Sequence, residues 1–284
     1  MKTTLVAGSW WGEFGWEIMS WQGYVRKTAE DYDQVVVSGP PGHGPLYADF
    51  CDTYLEHALT GDKDCWMIHG DQRLKTMLED GMQEMAVKLG ADRIKPVGYI
   101  PLSQQKFIPY GNATRTPPER RYDVLFHFRL RHDRGQERNT PDELAKEIRE
   151  RLNGDLRLAC IGSPEESICP AGYEDARGLP LDELMDVMAT AFLVTGPASG
   201  PLLLASLCNT PTVSWSSKKW YSAVKMDNRE RMTKAWNPFN VPCRVIDEFG
   251  FVPPAIEAVK AVREALHWAL PWKQQHLKSH APSG

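Results

Sequence analysis

Short apolar runs along this chain alternate with segments in which apolar residues return every three or four positions. Thr3–Ala7 and Gln34–Ser38 read as strands. Between them a helix is predicted from about Trp16, with Ile18, Trp21 and Val25 on one side. Gly39-Pro40-Pro41-Gly42 ends the second strand and leads to an expected helix near Pro45–Cys51. Gln72–Leu89 carries the longest helical pattern, with Leu74, Met77, Leu78, Met85 and Leu89 expected inward and Gly81 weakening it. Strand, helix, strand, helix in this order predicts a parallel sheet covered on both faces.

Pro109–Arg121 is poor in apolar residues, contains three prolines, and reads as a linker. Beyond it the alternation is cleaner. Tyr122–Phe128 and Leu156–Ile161 read as strands. Thr140-Pro141-Asp142-Glu143 reads as a capping box opening a helix with Leu144, Ile148 and Leu152 aligned. Leu181, Leu184, Met185 and Met188 form another helical stripe. Phe192–Trp215 then gives a short strand, a Gly/Pro/Ser turn, the almost wholly apolar helix Pro201–Cys208, and a further strand. A helix with no polar face belongs in the middle of a layered domain. Pro254–Leu270 is amphipathic through Ile256, Val259, Leu266 and Leu270. The expectation is an α/β chain with a Rossmann-like second half, ligands meeting the carboxyl ends of its strands.

Composition narrows the function. An apolar content of 42%, a charged content of 25% and a net charge of −4 fit a globular protein and argue against one that coats nucleic acid. No apolar run approaches the ~20 residues needed to span a bilayer, so no membrane partner is expected. The six cysteines form no C-x-x-C pair, and no D-x-D motif is present. A reducing, cytoplasmic setting without bound metal is therefore predicted.

Three stretches carry candidate chemistry. At the entrance of the apolar helix, Gly196, Ser199 and Gly200 leave backbone amides at the positive end of the helix dipole, a place for an anion such as a diphosphate. Phe126-His127-Phe128-Arg129-Leu130-Arg131 follows a strand directly. Alternation puts His127, Arg129 and Arg131 on one face, suited to phosphate through guanidinium forks. Gly12-Glu13-Phe14-Gly15-Trp16-Glu17 follows the first strand and offers two carboxylates. His43 sits in the rigid Gly39–Gly44 turn. Trp10 and Trp11 add to an unusual crowding of tryptophan, and basic residues between Lys218 and Lys234 are interleaved with Trp220 and Tyr221.

GPASGPLLLASLCNTPTVSW resembles the diphosphate-binding segment of the C-terminal domain in GT-B glycosyltransferases, of the heptosyltransferase-like and fucosyltransferase-like groups and of phage-encoded enzymes. It departs from many relatives at Leu203-Leu204, where they carry His-Leu. The resemblance implies a GT-B-like fold, two Rossmann-like domains with a cleft between them. Residues 1–113 would form the acceptor-side domain and 114–253 the nucleotide-sugar domain, with 254–284 a helix packing back on the first. It implies a transferase that uses a nucleotide sugar, a UDP-sugar being favoured, as co-substrate, with no cofactor and no obligate protein partner. Gly196, Ser199, Gly200, Arg129 and Arg131 would bind the donor diphosphate, Arg129 also steadying the leaving group. Gly162, Ser163 and Arg177 would line the nucleoside. Glu13 would be the base, flanked by glycines that permit close approach. Trp10, Trp11, Glu17 and His43 would face the acceptor, although Glu17 also reads simply as a favourable first-turn acid. The basic, aromatic stretches and the likeness to phage enzymes point to a hydroxymethylated pyrimidine in phage DNA, modified in the host cytoplasm. Other glycan or small-molecule acceptors, a same-fold epimerase and a non-catalytic sugar-binding protein are the alternatives.

Overall fold

The computed structural model describes residues 2–57, 72–111, 121–132, 135–152, 154–218, 220–221 and 225–278. The chain divides into two compact units, Met1–Phe107 and Ile108–Gly284. Most of the expected linker, 112–120, lies outside the described residues, as does Cys65.

The first unit contains β1 (Thr4–Ala7), α1 (Phe14–Trp16), a π-helical segment Glu17–Trp21 that runs on into α2 (Gln22–Ala29), β2 (Gln34–Gly39), β3 (Thr53–Glu56), α3 (Gln72–Leu89) and β4 (Asp92–Ile94). Its strands form one parallel sheet in the order β3-β2-β1-β4, with Val6 beside Val36 and Arg93. Side chains alternate across a strand. Val6 and Val36 meet Met82 and Ala86 of α3 on one face. The expected inward residues Leu74, Met77 and Leu89 are exposed instead; the buried stripe is Lys75, Met82 and Ala86, one step round the helix. Lys75 explains the rotation, because its stem is buried and its ammonium lies 3.9 Å from the centre of the Trp11 ring. The expected helix near Pro45–Cys51 shrinks to a 3₁₀ turn at Gly44–Leu46. Where the turn ends, Arg26 Nη2 donates to the Leu46 carbonyl (3.0 Å). The short strands β3 and β4, half exposed, have no clear apolar signal in the sequence.

The second unit contains β5 (Val124–Phe126), β6 (Phe128–Arg129), α4 (Asp142–Arg151), β7 (Leu158–Cys160), β8 (Ser167–Ile168), β9 (Glu174–Asp175), α5 (Leu181–Thr190), β10 (Leu193–Pro197), α6 (Gly200–Leu207), β11 (Thr212–Trp215), β12 (Trp220–Tyr221), β13 (Met226–Asp227), α7 (Asn228–Glu230), β14 (Cys243–Ile246) and α8 (Ala255–Lys278). Six strands make a parallel sheet in the spatial order β14-β11-β10-β5-β7-β9. Taken by their place in the chain, this is the doubly wound Rossmann order, reversing between β5 and β10. The expected strand Tyr122–Phe128 is interrupted at His127, after which β6 turns away to pair antiparallel with β8. The predicted capping box at Thr140 does not form. Pro141 is the N-cap, and the buried Thr140 hydroxyl has no hydrogen-bond partner.

The apolar face of α8 completes the core of the second unit, where Ala258, Val262 and Ala265 join Phe126, Ile148, Leu158 and Trp215. Near its end Lys273 is buried, its Nζ donating to the Ala189 carbonyl and the Thr210 hydroxyl, both at 2.7 Å. Burial pushes the Lys273 pKa down to about 7. The unfolded chain, with an ordinary lysine near 10.4, therefore holds an extra proton between about pH 7 and pH 10.4. Stability must rise with pH across that window, by up to about 1.4 kcal/mol per pH unit. Urea unfolding at pH 7 and pH 9 should show the wild type gaining on Lys273→Met; a constant difference would refute the assignment. Among the described residues, no helix is long and apolar enough to cross a membrane.

Candidate functional site

In the second unit, the residues expected to bind a diphosphate gather around His127, at the point where the strand order reverses. The His127 N–H donates to Thr195 O (2.9 Å), stitching the ends of β5 and β10 together. Its side chain is buried and its Nδ1 lies 2.8 Å from Ser199 Oγ. Gly196 packs against its backbone and Gly162 against its ring; a Cβ on Gly196 would lie 2.3 Å from His127 O. Burial first, and then the Arg129 charge, push the His127 pKa down to about 3. The imidazole is therefore neutral, a hydrogen-bonding partner rather than a cation.

Ser199 is the N-cap of α6 in an extended conformation, but its hydroxyl makes no capping bond and turns to His127. The first intrahelical amide bond comes from Leu203 N–H to Ser199 O (3.2 Å). The Gly200 and Leu202 amides precede it, at the positive end of a buried apolar helix.

Arg129 is also buried. Its Nη1 donates to Gly135 O (2.6 Å) and Asn139 Oδ1 (2.8 Å), while Asn139 bonds the backbone of Arg131 on both its N–H and C=O sides. Asn139 thus couples the two arginines, a role no local pattern in the sequence marks. Burial, then repulsion from Arg138 and Arg131, bring the Arg129 pKa down to about 10, so the guanidinium stays charged at neutral pH. Arg131 is half buried, with Nε 3.8 Å from Glu166. Arg138 lies over the Phe251 ring at 5.4 Å. Beside this cluster Glu137, Ser217, Phe249, Gly250, Phe251 and Val252 line a cleft of about 450 Å³.

Some expected members are committed elsewhere. Arg177 is held by Asp175 through a two-pronged ion pair (2.8 and 2.7 Å) and by the Ser167 carbonyl (2.7 Å), bonds that brace the loop. The Ser163 hydroxyl is bonded to Glu165. Arg229 makes a fork to Asp247 (2.9 and 2.7 Å), and Arg231 is buried with its charge 4.7 Å from the Trp236 ring. Two of the basic residues expected to meet a polyanion are therefore engaged within the chain, Arg231 buried and Arg229 with half of its side chain still exposed.

In the first unit, Ser9 and Ser38 bridge the carboxyl ends of β1 and β2 through their hydroxyls (2.8 Å). Glu13 is the half-buried N-cap residue of α1; its carbonyl receives the Trp16 and Glu17 amides, and its side chain makes no capping bond. Glu17, by contrast, is wholly buried and joined to His43 Nδ1 (2.6 Å) and to the Tyr47 hydroxyl (2.9 Å). It faces no acceptor directly. Trp10 is equally buried and stacks on Trp21 at 6.0 Å, which makes it core rather than a wedge for a nucleic acid stack. Trp11 is half buried beneath Lys75. His43 alone of these four is both polar and open to solvent, with 26% of its side chain exposed.

The whole architecture is shared with known structures. A glycosyl transferase family 9 structure from Veillonella parvula matches 94% of this chain and 97% of its own, at 13% identity and a TM-score of 0.58. E. coli ADP-heptose lps heptosyltransferase II matches 94% of this chain and 99% of its own, at 13% identity and a TM-score of 0.59. A putative UDP-N-acetylglucosamine 2-epimerase from Listeria monocytogenes matches at 10% identity and a TM-score of 0.52, over 97% of this chain and 91% of its own. No protein-family model matches the chain, and no curated protein matches it in sequence. The fold is thus that of the GT-B class, with a parallel Rossmann-like sheet in each unit, as the resemblance implied.

Proposed function

We propose that this protein is a glycosyltransferase that takes a sugar from a nucleoside diphosphate sugar and joins it to an acceptor hydroxyl. The observation that carries this reading is the gathering of Arg129, the His127–Ser199 pair and the first amides of α6 at the reversal point of the second sheet. A diphosphate there would accept hydrogen bonds from the Gly200 and Leu202 amides, and the arginine cluster would offset its charge as the sugar–oxygen bond breaks. Arg131 supports Arg129 from the same loop. The aromatic cleft at Phe249 and Phe251 gives a nucleoside or sugar an apolar wall.

The donor is proposed as a class. A UDP-sugar was the sequence expectation; the heptosyltransferase II structure is named for ADP-heptose, so ADP-sugars stand beside it. For the acceptor, the hydroxymethylated pyrimidine of DNA loses two supports, because Trp10 is core and Arg229 and Arg231 are internally paired or buried. It is kept as one arm of the test. Nucleotide release should be followed for UDP-, GDP- and ADP-sugars, each with hydroxymethylcytosine DNA, heptose-containing glycan or no acceptor. Release that depends on one acceptor, with a matching mass gain on it, establishes the transferase. Acceptor-independent conversion of the donor sugar would favour the epimerase reading, and donor binding with no turnover would favour a binding protein.

A further inference from the structure

We infer that His43, positioned by Glu17, is the base that takes the proton from the acceptor hydroxyl. The inference rests on the transferase reading above and assigns a role that Glu13 was expected to fill.

The geometry is that of a carboxylate–imidazole dyad. Glu17 is fully buried and uses both carboxylate oxygens, Oε2 toward His43 Nδ1 (2.6 Å) and Oε1 toward the Tyr47 hydroxyl (2.9 Å). With Glu17 accepting, Nδ1 carries the imidazole proton and Nε2 keeps the lone pair. No hydrogen bond occupies Nε2 among the described residues, and the ring is one-quarter exposed. The edge of Phe14 packs against it, ring centres 5.4 Å apart. The turn that carries it is fixed as well. Gly42 N–H donates to Glu56 Oε1 (2.8 Å), His43 N–H to Pro40 O (3.3 Å), and the Tyr54 hydroxyl to that same Pro40 carbonyl (2.8 Å).

His43 follows β2 at the carboxyl edge of its sheet, where a Rossmann-like unit meets its ligands. Its titratable surroundings are Glu17, Glu56, Tyr47 and Tyr54. Burial works against the imidazolium, but the charge and hydrogen bond of Glu17, with the charge of Glu56, outweigh it and hold the His43 pKa above its ordinary value. A histidine tuned in this direction is a stronger base than an ordinary carboxylate.

In the reaction, the acceptor oxygen attacks the anomeric carbon as its proton passes to His43 Nε2. The bond from that carbon to the donor phosphate oxygen breaks, and its electron pair leaves with the nucleoside diphosphate. Glu17 offsets the imidazolium until solvent takes the proton. Direct attack by the deprotonated acceptor displaces the nucleoside diphosphate with inversion at the anomeric carbon.

The test uses the full-length protein and the donor–acceptor pair on which the wild type turns over. His43→Gln should lower kcat by ~10²-fold or more, with nucleotide-sugar affinity by calorimetry and the melting temperature unchanged. Glu17→Gln should lower kcat and move the acidic limb of the pH–rate profile to lower pH, with Glu17→Asp restoring part of the rate. A His43→Gln enzyme with near-normal kcat, an unmoved acidic limb in Glu17→Gln, or retention at the anomeric carbon overturns the assignment while leaving the transferase intact. A wild type that binds donor but releases nucleotide to no acceptor overturns both.

Discussion

Gly196→Ala should destabilise the protein by roughly 2–5 kcal/mol, a loss comparable with the whole stability of many domains. Two costs combine. At φ +148 the backbone of Gly196 lies where side chains are rarely tolerated, and the added Cβ would sit 2.3 Å from the His127 carbonyl oxygen and 3.1 Å from its carbon. Neither neighbour can yield, because His127 N–H is bonded across to β10 and the strands on both sides are wholly buried. Gly154→Ala is the control. Its φ is +130, yet a Cβ there would meet nothing within 4 Å, so it carries the backbone strain without the collision. Urea unfolding followed by tryptophan fluorescence should show Gly196→Ala losing clearly more than Gly154→Ala. Equal losses would mean that the close approach of the two strand ends is not a constraint.

Arg129→Ala should lower donor turnover by about 10²–10³-fold, the range seen when one preorganised charge or donor is removed from a developing anion. Arg129 is buried and stays charged at neutral pH, and the neutral His127 beside it does not supply its charge. Arg129→Lys should recover only part of the rate, because an ammonium keeps the charge but not the planar fork. Arg129→Ala also removes the bonds to Gly135 O and Asn139 Oδ1, so a loop effect must be separated from an electrostatic one. Asn139→Ala removes the Asn139 bond to Arg129, and its two bonds to the Arg131 backbone, while keeping the guanidinium. Steady-state kinetics on both should show a far larger loss in Arg129→Ala; matching losses would reduce Arg129 to a loop anchor.

The sequence made the second sheet readable because its signals are local. An apolar run, a Gly-Pro-Ser turn and an apolar helix in direct succession leave few other folds for Phe192–Trp215, and β10, α6 and β11 lie there. His127 and Arg129 were legible as a pair for the same reason, although the neutral state of His127 depends on burial that no neighbour in sequence dictates. Features set by partners far along the chain were not legible. Arg177 and Arg229 looked like available charge until Ser167 and Asp247 took them up, and Trp10 looked like a surface aromatic until Trp21 stacked on it. The face of α3 was misread because a lysine, Lys75, occupies the buried stripe and three large apolar residues lie outside it. Glu17 and His43 stand 26 positions apart, and nothing in either local pattern announces their bond.

The π-helical stretch Glu17–Trp21 has an evolutionary consequence. Such a stretch holds one residue more than regular winding needs, and each residue turns an α-helix by about 100°. Deleting a residue between Glu17 and Trp21 would restore regular winding and leave Trp21 and Val25 in the core. Glu17 would then swing by about 100° away from Tyr47 and His43. The pairing thus depends on the phase of one helix, which a single-codon insertion or deletion can set. A lineage could gain or lose it in one step, with the sheet and its hydrophobic layers undisturbed.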